Sequence, residues 1–135
     1  MEIRVFGLVL LLVLSIALPA EAQTWEDFQR KHILQGMRAS ECNTAIGSRG
    51  VNVGNTCKRR NSFIMATSDQ VRAICLNAGR RLGGNRYESL YRFPVVTCTT
   101  RRHSRPCEYS GLQRPRYITV TCEHRLPVHY HSERS

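Results

Sequence analysis

Residues 57–63 read Cys57-Lys58-Arg59-Arg60-Asn61-Ser62-Phe63. A cysteine stands directly before three successive cations, and an apolar run, Phe63-Ile64-Met65-Ala66, follows. Ser62 to Ala66 has the composition of a strand, so a strand leads out of a cationic step. A bridged Cys57 would tie the backbone beside Lys58 to a distant part of the chain, and the lysine would be held rather than trailing in solvent.

The cysteine pattern favours that bridge. Six cysteines occur, at 42, 57, 75, 98, 107 and 122, with no CxxC pair, which argues against zinc. Ahead of them, the apolar run Val5 to Leu18 is about 14 residues long, short of the ~20 that a membrane-spanning helix needs. Pro19 and the small-x-small triplet Ala20-Glu21-Ala22 follow, the pattern of a secretory signal peptide over residues 1–22. The mature domain is then 23–135, secreted to the extracellular space. An even number of cysteines in so short an exported chain implies three disulfides, though the residues alone leave many pairings open.

Residues 23–135 carry 19 basic against 8 acidic residues, a net +11, and 17 of the 19 are arginine. Arginine's planar fork suits phosphate, so a polyanionic partner is expected: RNA, DNA, heparan-type glycans or anionic bacterial membranes. The length excludes a multidomain enzyme.

Thr24 with Asp27 starts a helix predicted over Trp25 to about Gln35, with Trp25, Phe28 and His32 on one face. A short second helix is predicted over Ser40–Ile46. Thr67 with Gln70 caps a third, Ser68 to about Asn77, ended by Gly79. Arg80 to Arg86, with Gly83-Gly84, reads as an exposed basic loop. Glu88–Thr99, Arg116–Glu123 and Pro127–His131 read as strands. Helices early and strands late indicate α+β with an antiparallel sheet.

Three residues carry the chemistry: His32 on the first helix, Lys58 in the cationic step and His129 in the last strand. Together with Phe28-x-x-x-His32 and Pro127-Val128-His129-Tyr130, the 57–63 stretch resembles the pancreatic-type ribonucleases, the superfamily of ribonuclease A and angiogenin. The stretch is similar to the signature Cys-Lys-x-x-Asn-Thr-Phe, and six cysteines, with Cys122-Glu123 seven and six residues before His129, resemble the angiogenin branch. The resemblance implies a ribonuclease A-like fold, with three helices packed on a bent antiparallel sheet. It implies the bridges Cys42–Cys98, Cys57–Cys107 and Cys75–Cys122. It also implies endonucleolytic cleavage of single-stranded RNA, 3′ of pyrimidines, through a 2′,3′-cyclic phosphate and without metal or cofactor. His32 is then the base, His129 the acid and Lys58 the cation for transition-state charge. Ser62 and Tyr130 meet the base on the 5′ side of the cut and Glu123 the base on the other side, with Lys31, Arg59 and Arg60 near phosphate.

Two departures bear on rate. Lys31 stands where the family usually has Gln and lowers the pKa of His32 if it is close. His131 stands where the family has Asp; strand alternation puts it beside His129, whose pKa it should lower. The chain is expected to be a monomer. A second class of function is a cationic secreted effector with weak ribonuclease activity, an angiogenin-like growth signal acting through a cell-surface receptor or a membrane-disrupting antimicrobial protein.

Overall fold

The computed structural model describes residues 23–135; the export segment inferred for 1–22 lies outside the described residues. Helix α1 is Trp25–His32, N-capped by the Thr24 hydroxyl, which accepts from the Asp27 N–H. It ends at His32 rather than near Gln35. Ile33 is drawn into extended backbone, bridges to Ile64, and is followed by a Leu34 N–H to Ile64 C=O bond. A 3₁₀ turn, Ala39–Glu41, runs into α2, Cys42–Ser48. Helix α3, Ser68–Arg72, has the Thr67/Gln70 capping box expected, then tightens to a 3₁₀ turn, Ala73–Cys75, shorter than the span to Asn77. Gly79, expected to end that helix, instead opens the next strand, where a Cβ would collide with the Ile74 carbonyl.

Six antiparallel strands follow one another as β1 Arg60–Ile64, β2 Gly79–Gly83, β3 Arg86–Ser89, β4 Phe93–Thr99, β5 Ser110–Glu123 and β6 Leu126–Arg134. The order is β1-β4-β5-β3-β2, with β6 also on β5. Long β5 joins two half-sheets. Its first part, Ser110–Arg116, pairs with β4, and its second part pairs with β3 on one side and β6 on the other. The stretch expected as a basic loop, Arg80–Arg86, is instead the β2–β3 hairpin. Its glycines and arginines have poor strand propensity, but pairing of Arg86, Tyr87 and Glu88 with β5 overrides it. Likewise the strand expected over Glu88–Thr99 breaks into β3 and β4, and β5 begins at Ser110 rather than Arg116.

Two apolar clusters hold these layers. Phe28, Ile64, Val71, Ile74, Val95, Ile118 and Val120 form one, and Met37, Ile46, Val51, Phe63 and Val96 belong to the other. Phe63 and Ile64, and Val95 and Val96, enter different clusters because adjacent strand residues face opposite ways. Both β1 and β4 are therefore covered on both faces. The three bridges are Cys42–Cys98, Cys57–Cys107 and Cys75–Cys122, so the pairing implied by the resemblance is present. They close loops with separations of 56, 50 and 47 residues. On the chain-entropy model each such loop is worth about 4 kcal/mol. Gly111 is obligatory beside the first bridge, since a Cβ there would strike the Ala39 carbonyl and the Cys42 sulfur.

Candidate active site

His32 is the last residue of α1, and burial there leaves it 8% exposed. Its ring lies between Phe28 and Tyr130, with centroids 5.2 and 5.0 Å away. The Ser62 carbonyl lies 2.9 Å from Nδ1 and can only accept, so Nδ1 carries the hydrogen and Nε2 of the neutral ring keeps its lone pair. Burial lowers the His32 pKa from 6.5 to about 3, opposed by the bond to Ser62 and helped by the charges of Lys58, Lys31 and His129. The Lys31 effect read from sequence is thus present but smaller than desolvation.

Lys58 is held from several sides. Cys57 is bridged to Cys107. The Lys58 N–H donates to Asn52 Oδ1 at 2.8 Å, and its carbonyl accepts the Tyr109 hydroxyl. The ammonium Nζ donates to Asn61 Oδ1 at 2.9 Å, while Asn61 Nδ2 donates to the Lys31 carbonyl, also at 2.9 Å. Asn61 is 2% exposed, so one buried amide couples Lys58 to the turn of α1 that carries His32. Burial, then Lys31, holds the Lys58 pKa below the ordinary lysine value. Sequence reading quoted Asn61 in its motif without giving it this task.

His129 stands on β6 opposite Thr121. Partial burial, then His131, Lys58 and Arg86, lower its pKa. The influence of His131 is the one expected, but its geometry is not. The β5–β6 register shifts between Thr119 and Val120, which pair with Ser132 and Tyr130, so His131 is a bulge residue and simple alternation fails there. The same bulge turns Glu133 to the side of Tyr130, whose hydroxyl donates to Glu133 Oε1 at 2.9 Å. Glu133 went unremarked in the sequence because a bulge has no signature in single-sequence periodicity.

A cleft of about 420 Å³ gathers Lys31, His32, Lys58, Arg60, Ser62, His129 and Tyr130, with Asn61 and Glu133 also on its wall. Arg59 and Glu123 are not on that wall. Glu123 is exposed at the end of β5, beside the two-residue β5–β6 turn, and Arg59 is exposed ahead of β1. Burial and Glu133 push the Tyr130 phenol upward, so it stays a neutral donor. Behind the cleft, Glu88 receives Arg134 at 2.7 and 2.9 Å and Arg80 at 3.1 Å, which pins the end of β6. Among the described residues, no group of three His, Cys, Asp or Glu side chains is placed to hold a metal.

Residues 23–131 match the family described as pancreatic ribonuclease. Ribonuclease-like 3 of Danio rerio is 37% identical over 120 residues, covering 83% of this chain and 80% of its own. Oocytes ribonuclease of Aquarana catesbeiana is 39% identical over 126 residues, covering 90% and 91%. The X-ray structure of zebrafish RNase5 is similar at a TM-score of 0.75 and 36% identity, covering 79% of this chain and 91% of that one. The chain belongs to the pancreatic ribonuclease family. It is an endoribonuclease, and RNA is its substrate class.

Proposed function

We propose that the enzyme is exported after loss of residues 1–22 and cuts single-stranded RNA on the 3′ side of pyrimidines through a 2′,3′-cyclic phosphate. The observation that carries this reading is the His32 tautomer: with Nδ1–H given to Ser62, the free Nε2 lone pair belongs to a ring that burial keeps neutral. His32 Nε2 takes the 2′-hydroxyl proton as O2′ bonds to phosphorus. The bond from phosphorus to the 5′-oxygen breaks, and His129 delivers a proton to that oxygen. In the second half His129 takes a proton from water, water oxygen bonds to phosphorus, the bond from phosphorus to O2′ breaks, and His32 returns a proton to O2′. Lys58 offsets the charge that grows on the phosphoryl oxygens between these states. Burial differs between the two rings, so the buried His32 gives up its proton before the exposed His129, which is the pairing of free base and loaded acid that the first step needs.

The base on the 5′ side of the cut meets Ser62. In an antiparallel strand one residue's N–H and C=O point to the same side. The Ser62 carbonyl faces His32 on the outer edge of β1, so its N–H faces that edge too. A pyrimidine's C2 carbonyl accepts from it.

The test is capture of the cyclic product on a defined dinucleotide with wild type, His129→Ala and Lys58→Ala. Both variants should lose cleavage by about 10²-fold or more. Undiminished turnover in either removes that residue from the mechanism. The β2–β3 hairpin supports a second reading as a cationic effector, since Arg80, Arg81 and the 48% exposed Leu82 share it. Bacterial killing or endothelial growth that survives in His129→Ala while cleavage disappears would favour that reading.

A further inference from the structure

The run Arg101-Arg102-His103-Ser104-Arg105 carries three guanidiniums, none of them on the wall of the cleft. Its backbone is pinned to the segment before Lys58. Ser104 bridges to Thr56, and the Cys57 N–H donates to the His103 carbonyl at 3.1 Å. The Arg105 N–H donates to the Asn55 carbonyl at 3.3 Å, and Cys107 is bonded to Cys57. Between this loop and α2 lies a groove of about 570 Å³, where Asn43, Asn52 and Arg105 stand among small and apolar neighbours. It shares no lining residue with the cleft.

What the groove can offer a ligand is settled by the backbone behind it. A backbone N–H only donates, so the atom it meets on an asparagine is the oxygen. The Tyr109 N–H lies 2.7 Å from Asn43 Oδ1, and the Lys58 N–H lies 2.8 Å from Asn52 Oδ1. Both amides spend their oxygen there and keep the two hydrogens of Nδ2 for the groove. Arg105 gives its Nε–H to the Gly54 carbonyl at 2.8 Å, which anchors the guanidinium and leaves its two terminal nitrogens as donors. Glu108, the acid next to Cys107 in sequence, is turned to Arg102 at 3.9 Å. The groove thus has donors on three side chains, one of them cationic, and no side-chain oxygen left to accept. The complementary ligand only accepts, carries negative charge and has several oxygens: a tetrahedral oxyanion. Single-stranded RNA fits less well, because its bases want aromatic faces to stack on and no aromatic residue lines the groove.

We propose that this groove is a second oxyanion site, separate from the cleft, which binds a free phosphate or sulfate ion through Asn43, Asn52 and Arg105. Asn52 meets the ion with Nδ2 and the Lys58 N–H with Oδ1, so an ion bound there also braces the backbone of Lys58. The proposal does not depend on the roles given above to His32 and His129.

The experiment titrates the ¹⁵N-labelled enzyme with inorganic phosphate and, separately, inorganic sulfate, at an ionic strength held constant with chloride. The side-chain amide signals of Asn43 and Asn52 report the groove, and the imidazole signals of His32 and His129 report the cleft, which attracts the same ions. The groove signals should level off with a midpoint of about 1–10 mM, the range for a few charge-assisted hydrogen bonds at a surface, and the Lys58 N–H signal should move with them. In Arg105→Ala the groove midpoint should rise about tenfold, while the imidazole midpoint stays within about twofold. Asn43→Asp keeps an acceptor for the Tyr109 N–H but sets an anion in place of two donors, and should abolish the groove response. Groove signals in wild type that stay still, or that drift without levelling off, would overturn the proposal with no variant needed. So would groove signals that follow the imidazoles in wild type and both variants alike, since they would then only sense the cleft. A groove that responds to a single-stranded oligonucleotide but to neither free ion would belong to the RNA path, and the proposal would be wrong. A Lys58 N–H that stays fixed while the Asn52 amide moves would sink the link to Lys58 alone.

Discussion

Asn61→Ala isolates what holds Lys58, the cation proposed to serve the transition state. Asn61 is 2% exposed and makes two side-chain bonds, from Lys58 Nζ and to the Lys31 carbonyl, each 2.9 Å. Truncation leaves the Lys31 carbonyl without its donor, which should cost about 1–3 kcal/mol of stability. The bond to the ammonium is charge-assisted, a class worth roughly 1.5–3 kcal/mol. If that energy pre-sets Lys58 for the transition state, losing it lowers kcat by about 10- to 100-fold, at 1.4 kcal/mol per tenfold. Ground-state binding of the dinucleotide involves the ammonium less, so KM should change by only about twofold. Asn61→Asp serves as the second variant. It retains both acceptor geometry and volume but sets an anion against Lys58, which cancels the charge proposed to serve the transition state; kcat should fall there too. The assay is steady-state kinetics on one dinucleotide beside thermal unfolding of each protein. Asn61→Ala that unfolds at lower temperature yet keeps kcat within about twofold would refute the coupling, and so would a loss confined to KM.

His131→Asp should move the alkaline limb of kcat/KM against pH upward by roughly half to one unit. His129 is held low by burial and by the positive charges of His131, Lys58 and Arg86; an anion at 131 opposes them, so the protonated acid persists to higher pH. A limb that stays put or moves down would exclude the coupling. Arg60→Ala should flatten the dependence of log(kcat/KM) on log[salt] by about 0.7 on single-stranded RNA, and Arg59→Ala by less, because Arg60 lines the cleft and Arg59 does not. Equal slopes for the two variants would contradict that placement. Glu88 is held at about 2 against an ordinary 4.5, chiefly by the bond from Arg134 and then by Arg80. Its contribution to stability is therefore complete above pH 4.5 and lost as pH falls toward 2. Denaturant titrations should show that Glu88→Gln removes part of the stability slope in that window, and an unchanged slope would refute it.

Several parts of this enzyme were legible in the chain because they rest on local chemistry. Helix starts at Thr24 and Thr67 follow from capping, which involves residues three apart. The catalytic candidates and the bridge pattern could be read from motif order along the sequence, and the cleft brings His32, Lys58 and His129 together as that order implied. The net charge, with arginine dominating, already pointed to a polyanion.

Other parts were decided only by tertiary contacts. The Arg80–Arg86 segment became a hairpin because β5 supplied partners for Arg86, Tyr87 and Glu88, not because its glycine- and arginine-rich sequence favours strand. Helix α1 stopped at His32 because Ile33 found Ile64 in β1. Lys58 is held in place through Asn52, Asn61 and Tyr109, and Asn52 and Tyr109 are remote from it in sequence by 6 and 51 residues. Glu133 is the clearest case. Strand alternation would set it on the side of His131 and away from Tyr130, but one bulge against β5 turns it to Tyr130 and onto Ser62, 71 residues away. A bulge is a mismatch between two strands, so its position is a property of the pair and is not encoded in the periodicity of either strand alone.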